Sequence, residues 1–363
     1  MKISLLKKFK NKTIIVTGHT GFKGSWLCLW LISLGARVIG ISDKIISKPS
    51  NYDANLIKNK IIDYRFNLKN KKKIKKIISK HKPDFIFHLA AQSLVKKSYI
   101  FPTDTFESNA IGTLNLLNSL KELEIKRRCN IILITSDKSY KNLELERGYH
   151  ENDILGGLDP YSASKGCAEL IIKSYFNSYF KKNKYIRLAV ARAGNVIGGG
   201  DWSDDRIIPD CIRSCVENKK LILRHPNATR PWQHVLEALC GYLLLAQNLS
   251  TNKLLNGEAF NFGPNYKNSI SVIRLIKKVK KKWPTLKWII EKSPQQFESK
   301  LLKLNSNKAK KNIGWKCVLS TDETIDYVIN WYKYFYLDKE KKKDMYHFSE
   351  NQIKNYILKL RKI

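Results

Sequence analysis

A chain of 363 residues with 43% apolar and 11% aromatic side chains can bury a sizeable core, as one large domain or two interlocked ones. It carries 67 basic against 31 acidic residues, a formal charge of +36. The lysines are spread along the chain and gather on polar faces such as "NKKKIKKIISKHK", which marks a lysine-rich background and not a nucleic-acid site. No apolar run approaches the ~18 residues that cross a bilayer, and the N-terminal "MKISLLKKFKNK" lacks the apolar stretch and cleavage site of a signal peptide. A soluble, cytoplasmic protein with no nucleic-acid and no membrane partner is expected. The cysteines at 28, 129, 167, 211, 215, 240 and 317 are odd in number and scattered through apolar segments, so reduced thiols and no metal site are expected.

In chain order, the β-branched runs "TIIVTG", "ARVIGIS", "DFIFHLAAQS", "NIILITS" and "IRLAVARAGN" alternate with longer segments of helical period. That alternation predicts an α/β fold, a Rossmann-type doubly wound parallel sheet whose strands are buried on both faces. The dinucleotide-type domain is expected over residues 8–200, with one later strand, "EAFNFG", returning near 258–263. Residues 201–335 read as a smaller, mainly C-terminal substrate-binding lobe interleaved with the sheet. Residues 336–363 read as a peripheral basic C-terminal helix.

The first run leads into "TGHTGFKGSWLCLWLISLG", a strand, a glycine-rich turn and a long helix. Gly18, Gly21 and Gly24 permit positive φ and close approach of a pyrophosphate, while the helix N-terminus offers NH groups and partial positive charge. Gly18, His19, Thr20, Gly21, Phe22, Lys23 and Gly24 are therefore the candidate dinucleotide cradle. Asp43, just beyond the second run, stands where a carboxylate accepts from the adenosine ribose and repels a 2′-phosphate, which favours NAD over NADP.

"DPYSASKGCAEL" sets Tyr161 and Lys165 at i,i+4, on one face of a helix. A lysine ammonium there is expected to lower the phenol from ~10 toward working pH, letting the phenolate take a proton from an alcohol as NAD⁺ takes the hydride. The strand "NIILITS" ends in Ser136, Asp137 and Lys138, an alcohol, a carboxylate and an ammonium side by side.

The G-x-x-G-x-x-G turn followed by Tyr-x-x-x-Lys resembles the extended short-chain dehydrogenase/reductase family. The blocks "TGHTGFKGSWL", "HLAAQSLVKKSY", "TSDKSYKN", "GYHENDILGGLDPYSASKGCAEL", "ARAGNVIGGGDWSDDRIIPD" and "RHPNATRPWQHVLEAL" are similar, in order, to its CDP-glucose 4,6-dehydratase branch. The resemblance implies that Leu89, Ala90 and Ala91 pass the cofactor, that Asn67 and Leu68 replace a pair touching adenine, and that Asn109 and Thr135 lie near the active site. It also implies a three-step reaction on CDP-glucose: oxidation at C4, loss of water across C5 and C6, and hydride return to C6. Ser136 would bond the C4 oxygen and Asp137 would be the acid at C6. Lys138 would be either the C5 base or, left charged, a stabiliser of the C4 enolate. A base role requires about 3 units of pKa depression, roughly 4 kcal/mol. Gln92 and Ser93 are candidates to face the hexose. Asn195, Arg206, Arg224 and Arg230 are candidates for the substrate pyrophosphate. The resemblance further implies a homodimer packed through helices, or a dimer of dimers.

Overall fold

A computed structural model of the protein describes residues 7–264, 269–291, 301–338 and 344–362. The apolar runs become strands β1 (Thr13–Thr17), β2 (Arg37–Ser42), β3 (Ile62–Arg65), β4 (Phe85–His88), β5 (Cys129–Ile134) and β6 (Ile186–Ala193). The strand Ala259–Phe262 returns to pair with β6, and the sheet runs in the order returning strand, β6, β5, β4, β1, β2, β3. Every neighbouring pair in it is parallel. The chain winds outward from β1 in one direction and from β4 in the other. The carboxyl ends of β1 and β4, in register at Thr17 and His88, therefore flank the crevice where such sheets bind ligands.

Helices cover both faces, which is why β5 and β6 are buried along their whole length. In β1 the side chains alternate: Ile14 and Val16 join the core that holds Trp26, Leu239 and Leu243, and Ile15 joins the one with Ile74, Leu116 and Ile172. The helix Lys71–His81 shows where the positive charge goes, since it buries Ile74, Ile77 and Ile78 and leaves its lysines toward water.

Two features depart from the sequence expectation. Residues beyond 200 contain more strand than the single expected run: Lys220–Leu223 pairs in parallel with Lys287–Ile290, and Thr229–Arg230 pairs antiparallel with Ile270–Ser271. These ladders are two to four residues long, and apolar runs as short as Leu221–Leu223 and Trp288–Ile290 do not distinguish a strand from a turn of helix.

The second correction concerns the tail, which is not a peripheral helix. The helix Thr321–Leu337 runs across the expected boundary, and Met345–Arg361 packs into the core; residues 339–343 lie outside the described residues. Tyr356 meets Trp30 edge-on at 5.6 Å and donates to Glu237 Oε2 at 2.7 Å, and Trp331 Nε1 donates to Ser349 Oγ at 2.9 Å. The abundant lysines of the tail conceal a stripe of Met345, Ile353 and Tyr356 that has to be buried.

Candidate active site

The cradle is built by steric necessity. Gly18 has φ +72°, and a Cβ there would lie 2.7 Å from the Ala90 nitrogen; one on Gly24 would lie 2.1 Å from the Gly18 carbonyl oxygen. The helix Phe22–Ser33 starts at Gly21 with no side chain capping it, so its first NH groups face the turn without an intrahelical partner. Thr20 Oγ1 bonds Ser42 Oγ at 2.7 Å and donates to the Lys44 carbonyl at 2.8 Å, which fixes the loop carrying Asp43. Asp43 accepts from Asn67 Nδ2 at 3.2 Å, and Leu68 is buried beside them. Bare backbone at the turn, open NH groups and an exposed carboxylate beyond β2 fit a dinucleotide with a free ribose diol. His19 offers only its backbone to the cradle. Its ring is fully buried against Gly40, with Nε2 2.9 Å from Asp63 Oδ1.

Beyond β4, Thr17 Oγ1 accepts from the Ala90 NH at 3.2 Å and meets His88 Nδ1 at 2.8 Å. This holds Leu89, Ala90 and Ala91 against Gly18. Burial, aided by Lys165, drives His88 down to about 3, so its imidazole is neutral. Gln92 does not turn to a hexose as expected. Its amide donates to Leu94 O at 2.9 Å and Thr105 Oγ1 at 3.0 Å and accepts from the Leu94 NH at 2.6 Å, closing its own loop. Asn109, presented by a π-turn at Glu107–Ile111, has both amide atoms engaged as well. It accepts from the Gln92 NH at 2.8 Å and donates to Ser164 Oγ at 2.8 Å, which makes it a brace between this loop and the Tyr161 helix.

That helix, Pro160–Tyr175, starts on Pro160 and is capped by Asp159, which accepts from the Ser162 NH at 3.0 Å. It brings Tyr161 and Lys165 to the end of β5. Ser136 Oγ donates to Asp137 Oδ1 at 2.8 Å, and the Lys138 NH donates to the same oxygen at 3.0 Å. The expected lowering of the phenol is not what the protein alone produces. Burial pushes Tyr161 up to about 12; the Ser136 hydroxyl and Arg206 pull it down, while Asp137 and Asp159 push it up. Lys165 is the group that comes down, to about 8, through burial first and the neighbouring Lys23 second, with Glu169 opposing. A buried phenolate loses more hydration than the Ser136 hydroxyl and Arg206 return.

Thr135 also turns away from the crevice. It donates to Glu169 Oε1 at 2.6 Å, and Glu169 is gripped by Arg192 through two 2.7 Å bonds, with both side chains 4% exposed. Sequence reasoning missed this pair; the available signal was Glu169 at i+4 from Lys165, on the same helix face. It also missed Gly194. A Cβ there would come within 1.9 Å of Asp137 Oδ2, so the carboxylate occupies the space of an absent side chain.

On the substrate side, Arg206 bonds Asp201 Oδ2 at 2.9 Å and donates to Ser93 Oγ at 3.3 Å, which brings two of the expected residues together. Asp201 was not foreseen, although it stands in "GGGDW". Arg224 reaches Asp205 at 3.5 Å, and Arg230 donates to the Thr229 carbonyl at 2.8 Å on the short ladder. Asn195 takes φ +52°, and its carbonyl accepts from the Gln233 NH at 3.1 Å. Asp137, Gly194, Asn195, Pro231, Pro264 and Leu304 line a small gap between the sheet and the second lobe.

With this geometry the sequence pattern of the family described as GDP-mannose 4,6 dehydratase matches residues 15–328. The chain belongs to the GDP-mannose 4,6-dehydratase family. The candidate site residues from Gly18 to Arg230 fall inside the family match, and the tail that carries Tyr356 lies beyond it. Among relatives, it is 39% identical over 355 residues to a CDP-glucose 4,6-dehydratase of Salmonella typhimurium, covering 96% of this chain and 97% of that one. It is 26% identical over 281 residues to a dTDP-D-glucose 4,6-dehydratase of Dictyostelium discoideum, covering 73% and 61%. The same fold is seen in a UDP-glucose 4-epimerase of Thermotoga maritima with UDP-glucose, at TM-score 0.78 and 23% identity over 90% of this chain and 100% of that one. It recurs in a dTDP-glucose 4,6-dehydratase of Bacillus anthracis in complex with NAD, at TM-score 0.73 and 20% identity over 89% and 96%.

Proposed function

We propose that the protein is an NAD-dependent CDP-glucose 4,6-dehydratase, converting CDP-glucose to CDP-4-keto-6-deoxy-glucose. The observation that carries this reading is the Asp137 carboxylate held beside Ser136 and Tyr161, in a chain 39% identical to a CDP-glucose 4,6-dehydratase. An epimerase needs the tyrosine and the lysine; the buried acid at the end of β5 serves elimination.

The residues of the cradle would hold NAD, which supplies a hydride acceptor at C4 and returns the hydride to C6. Lys165 and Ser136 orient the phenol, and Tyr161 removes the proton of the C4 hydroxyl. The resulting C4 ketone acidifies the C5 hydrogen. Lys138 takes that proton, Asp137 protonates the C6 hydroxyl, which leaves as water, and Lys138 gives its proton back to C5 as C6 is reduced. Arg206, set between Asp201 and Ser93, anchors the pyrophosphate. The assembly we propose is a homodimer through the helices that expose Tyr99, Ile100, Leu170 and Tyr179. The placement we propose is cytoplasmic; among the described residues no helix is long and apolar enough to cross a membrane.

The test is incubation with CDP-, dTDP-, GDP- and UDP-glucose without added reductant. A 4-keto-6-deoxy product from CDP-glucose is expected. A C4-epimerised sugar that retains its C6 hydroxyl, or turnover of another nucleotide with none of CDP-glucose, would overturn the reading.

A further inference from the structure

Two hydroxyls flank the turn that carries Asp137, and both end on one buried ion pair. Thr135 and Ser136 lead into the turn Asp137–Ser139, and Tyr140 follows it. Thr135 Oγ1 donates to Glu169 Oε1 at 2.6 Å. Arg192 donates to the same carboxylate through Nε and Nη2, each at 2.7 Å. Its remaining nitrogen, Nη1, donates to the Tyr140 hydroxyl at 2.6 Å and to the Glu151 carbonyl at 2.9 Å. Tyr140 gives its own hydrogen to Asn261 Oδ1 on the returning strand at 2.8 Å, and its ring centre lies 4.7 Å from the guanidinium. Thr135, Tyr140, Glu169 and Arg192 are all buried.

These contacts join three elements that the reaction needs in register. Glu169 stands on the helix Pro160–Tyr175, one turn beyond Lys165 and about two beyond Tyr161. Arg192 belongs to β6, and the two hydroxyls bracket Ser136, Asp137 and Lys138. The bonds inside the turn are short-range: Ser139 Oγ donates to the Ser136 carbonyl at 2.7 Å, and the Lys138 NH donates to Asp137 Oδ1 at 3.0 Å. They shape the turn without placing it against the phenol of Tyr161. The ion pair supplies that placement, because a planar guanidinium fork holds a carboxylate in one orientation. Glu169 and Arg192 already satisfy each other through two bonds, so a pair serving stability alone would need neither hydroxyl. Each hydroxyl is enclosed, and a buried hydrogen bond that is lost has no water to replace it.

We infer that Thr135 and Tyr140 are positioning residues, which hang the Ser136–Lys138 turn from both ends on the Glu169–Arg192 pair and so fix its distance from Tyr161. The kinetic consequence rests on the dehydratase reading; the ordering of the turn does not.

The experiment uses the full-length protein with Thr135→Val, Thr135→Ser, Tyr140→Phe and the double variant Thr135→Val/Tyr140→Phe, all of which keep the ion pair. With CDP-glucose, kcat should fall about tenfold in Thr135→Val and in Tyr140→Phe, a part of the roughly 100-fold that a 1 Å misplacement costs, while KM stays within about twofold. Thr135→Ser, which restores the hydroxyl, should recover most of the loss. The double variant should lose less than the product of the two single losses, since both hydroxyls hold the same turn. Amide hydrogen exchange read by mass spectrometry should be faster in peptides covering residues 136–141 in Thr135→Val and Tyr140→Phe, and close to wild type in Thr135→Ser. Either single variant carries the test should the other not fold. Wild-type kcat in both, a loss confined to KM, or wild-type exchange of 136–141 in both would overturn the inference. Faster exchange in these variants of a protein whose wild type makes no 4-keto product from CDP-glucose would sustain the inference and sink the dehydratase reading instead.

Discussion

Gly194→Ala isolates the elimination step. The added methyl would stand 1.9 Å from Asp137 Oδ2 and 2.1 Å from its Cγ, where real Cβ contacts stay beyond 3.0 Å. The carboxylate has to retreat by about 1 Å, which lengthens its 2.8 Å bond from Ser136 and, on the proposed mechanism, moves the acid away from the C6 hydroxyl. A displacement of about 1 Å of a reacting group is worth roughly 100-fold in rate, or about 2.7 kcal/mol of barrier. Tyr161 and Lys165 lie on another element, so oxidation at C4 should survive. In a single turnover followed by the absorbance of reduced nicotinamide, the variant should accumulate the reduced cofactor and release 4-keto product about 100-fold more slowly. Circular dichroism should show the fold retained, since crowding at one site costs about 1–3 kcal/mol. Wild-type turnover, or equal loss of oxidation and elimination, would refute the reasoning.

Lys138→Ala separates the two roles open to that lysine: abolished C5 solvent-deuterium exchange is the expected result, and wild-type exchange would remove Lys138 as the base. Glu237 makes stability depend on pH. Burial lifts its carboxyl to about 7, although it accepts from Tyr356 and from the NH groups of Leu319 and Val318. A carboxyl whose folded pKa lies above its unfolded value of ~4.3 stabilises the fold fully below that value and loses the contribution as pH rises through 7, about 3 kcal/mol in all. Glu237→Gln should therefore gain thermal stability relative to wild type on going from about pH 5 to about pH 8. An equal difference in Tm at both pH values would show that Glu237 does not titrate in this window.

Much of this protein is written in local pattern. β-branched runs at regular intervals specify the parallel sheet, because burial on both faces demands uninterrupted apolar strands. The glycines at 18, 21 and 24 and the Tyr161–Lys165 pair are equally legible, since a tight turn and one helical step are short-range geometry. Where individual side chains point was decided by partners distant in sequence. His19 faces Asp63, Gln92 and Asn109 brace each other, Thr135 serves Glu169, and Gly194 vacates the space of the Asp137 carboxylate. The tail reads as basic and peripheral until Trp30 and Glu237 supply the surface that buries Tyr356. The phenol at Tyr161 makes the same point in energetic form. The i,i+4 spacing puts a lysine on the same helix face, and only the packed structure sets the depth of burial that lifts the phenol. Composition and spacing determine which elements form and which groups meet at the end of β5; tertiary packing decides their exposure, and exposure governs protonation.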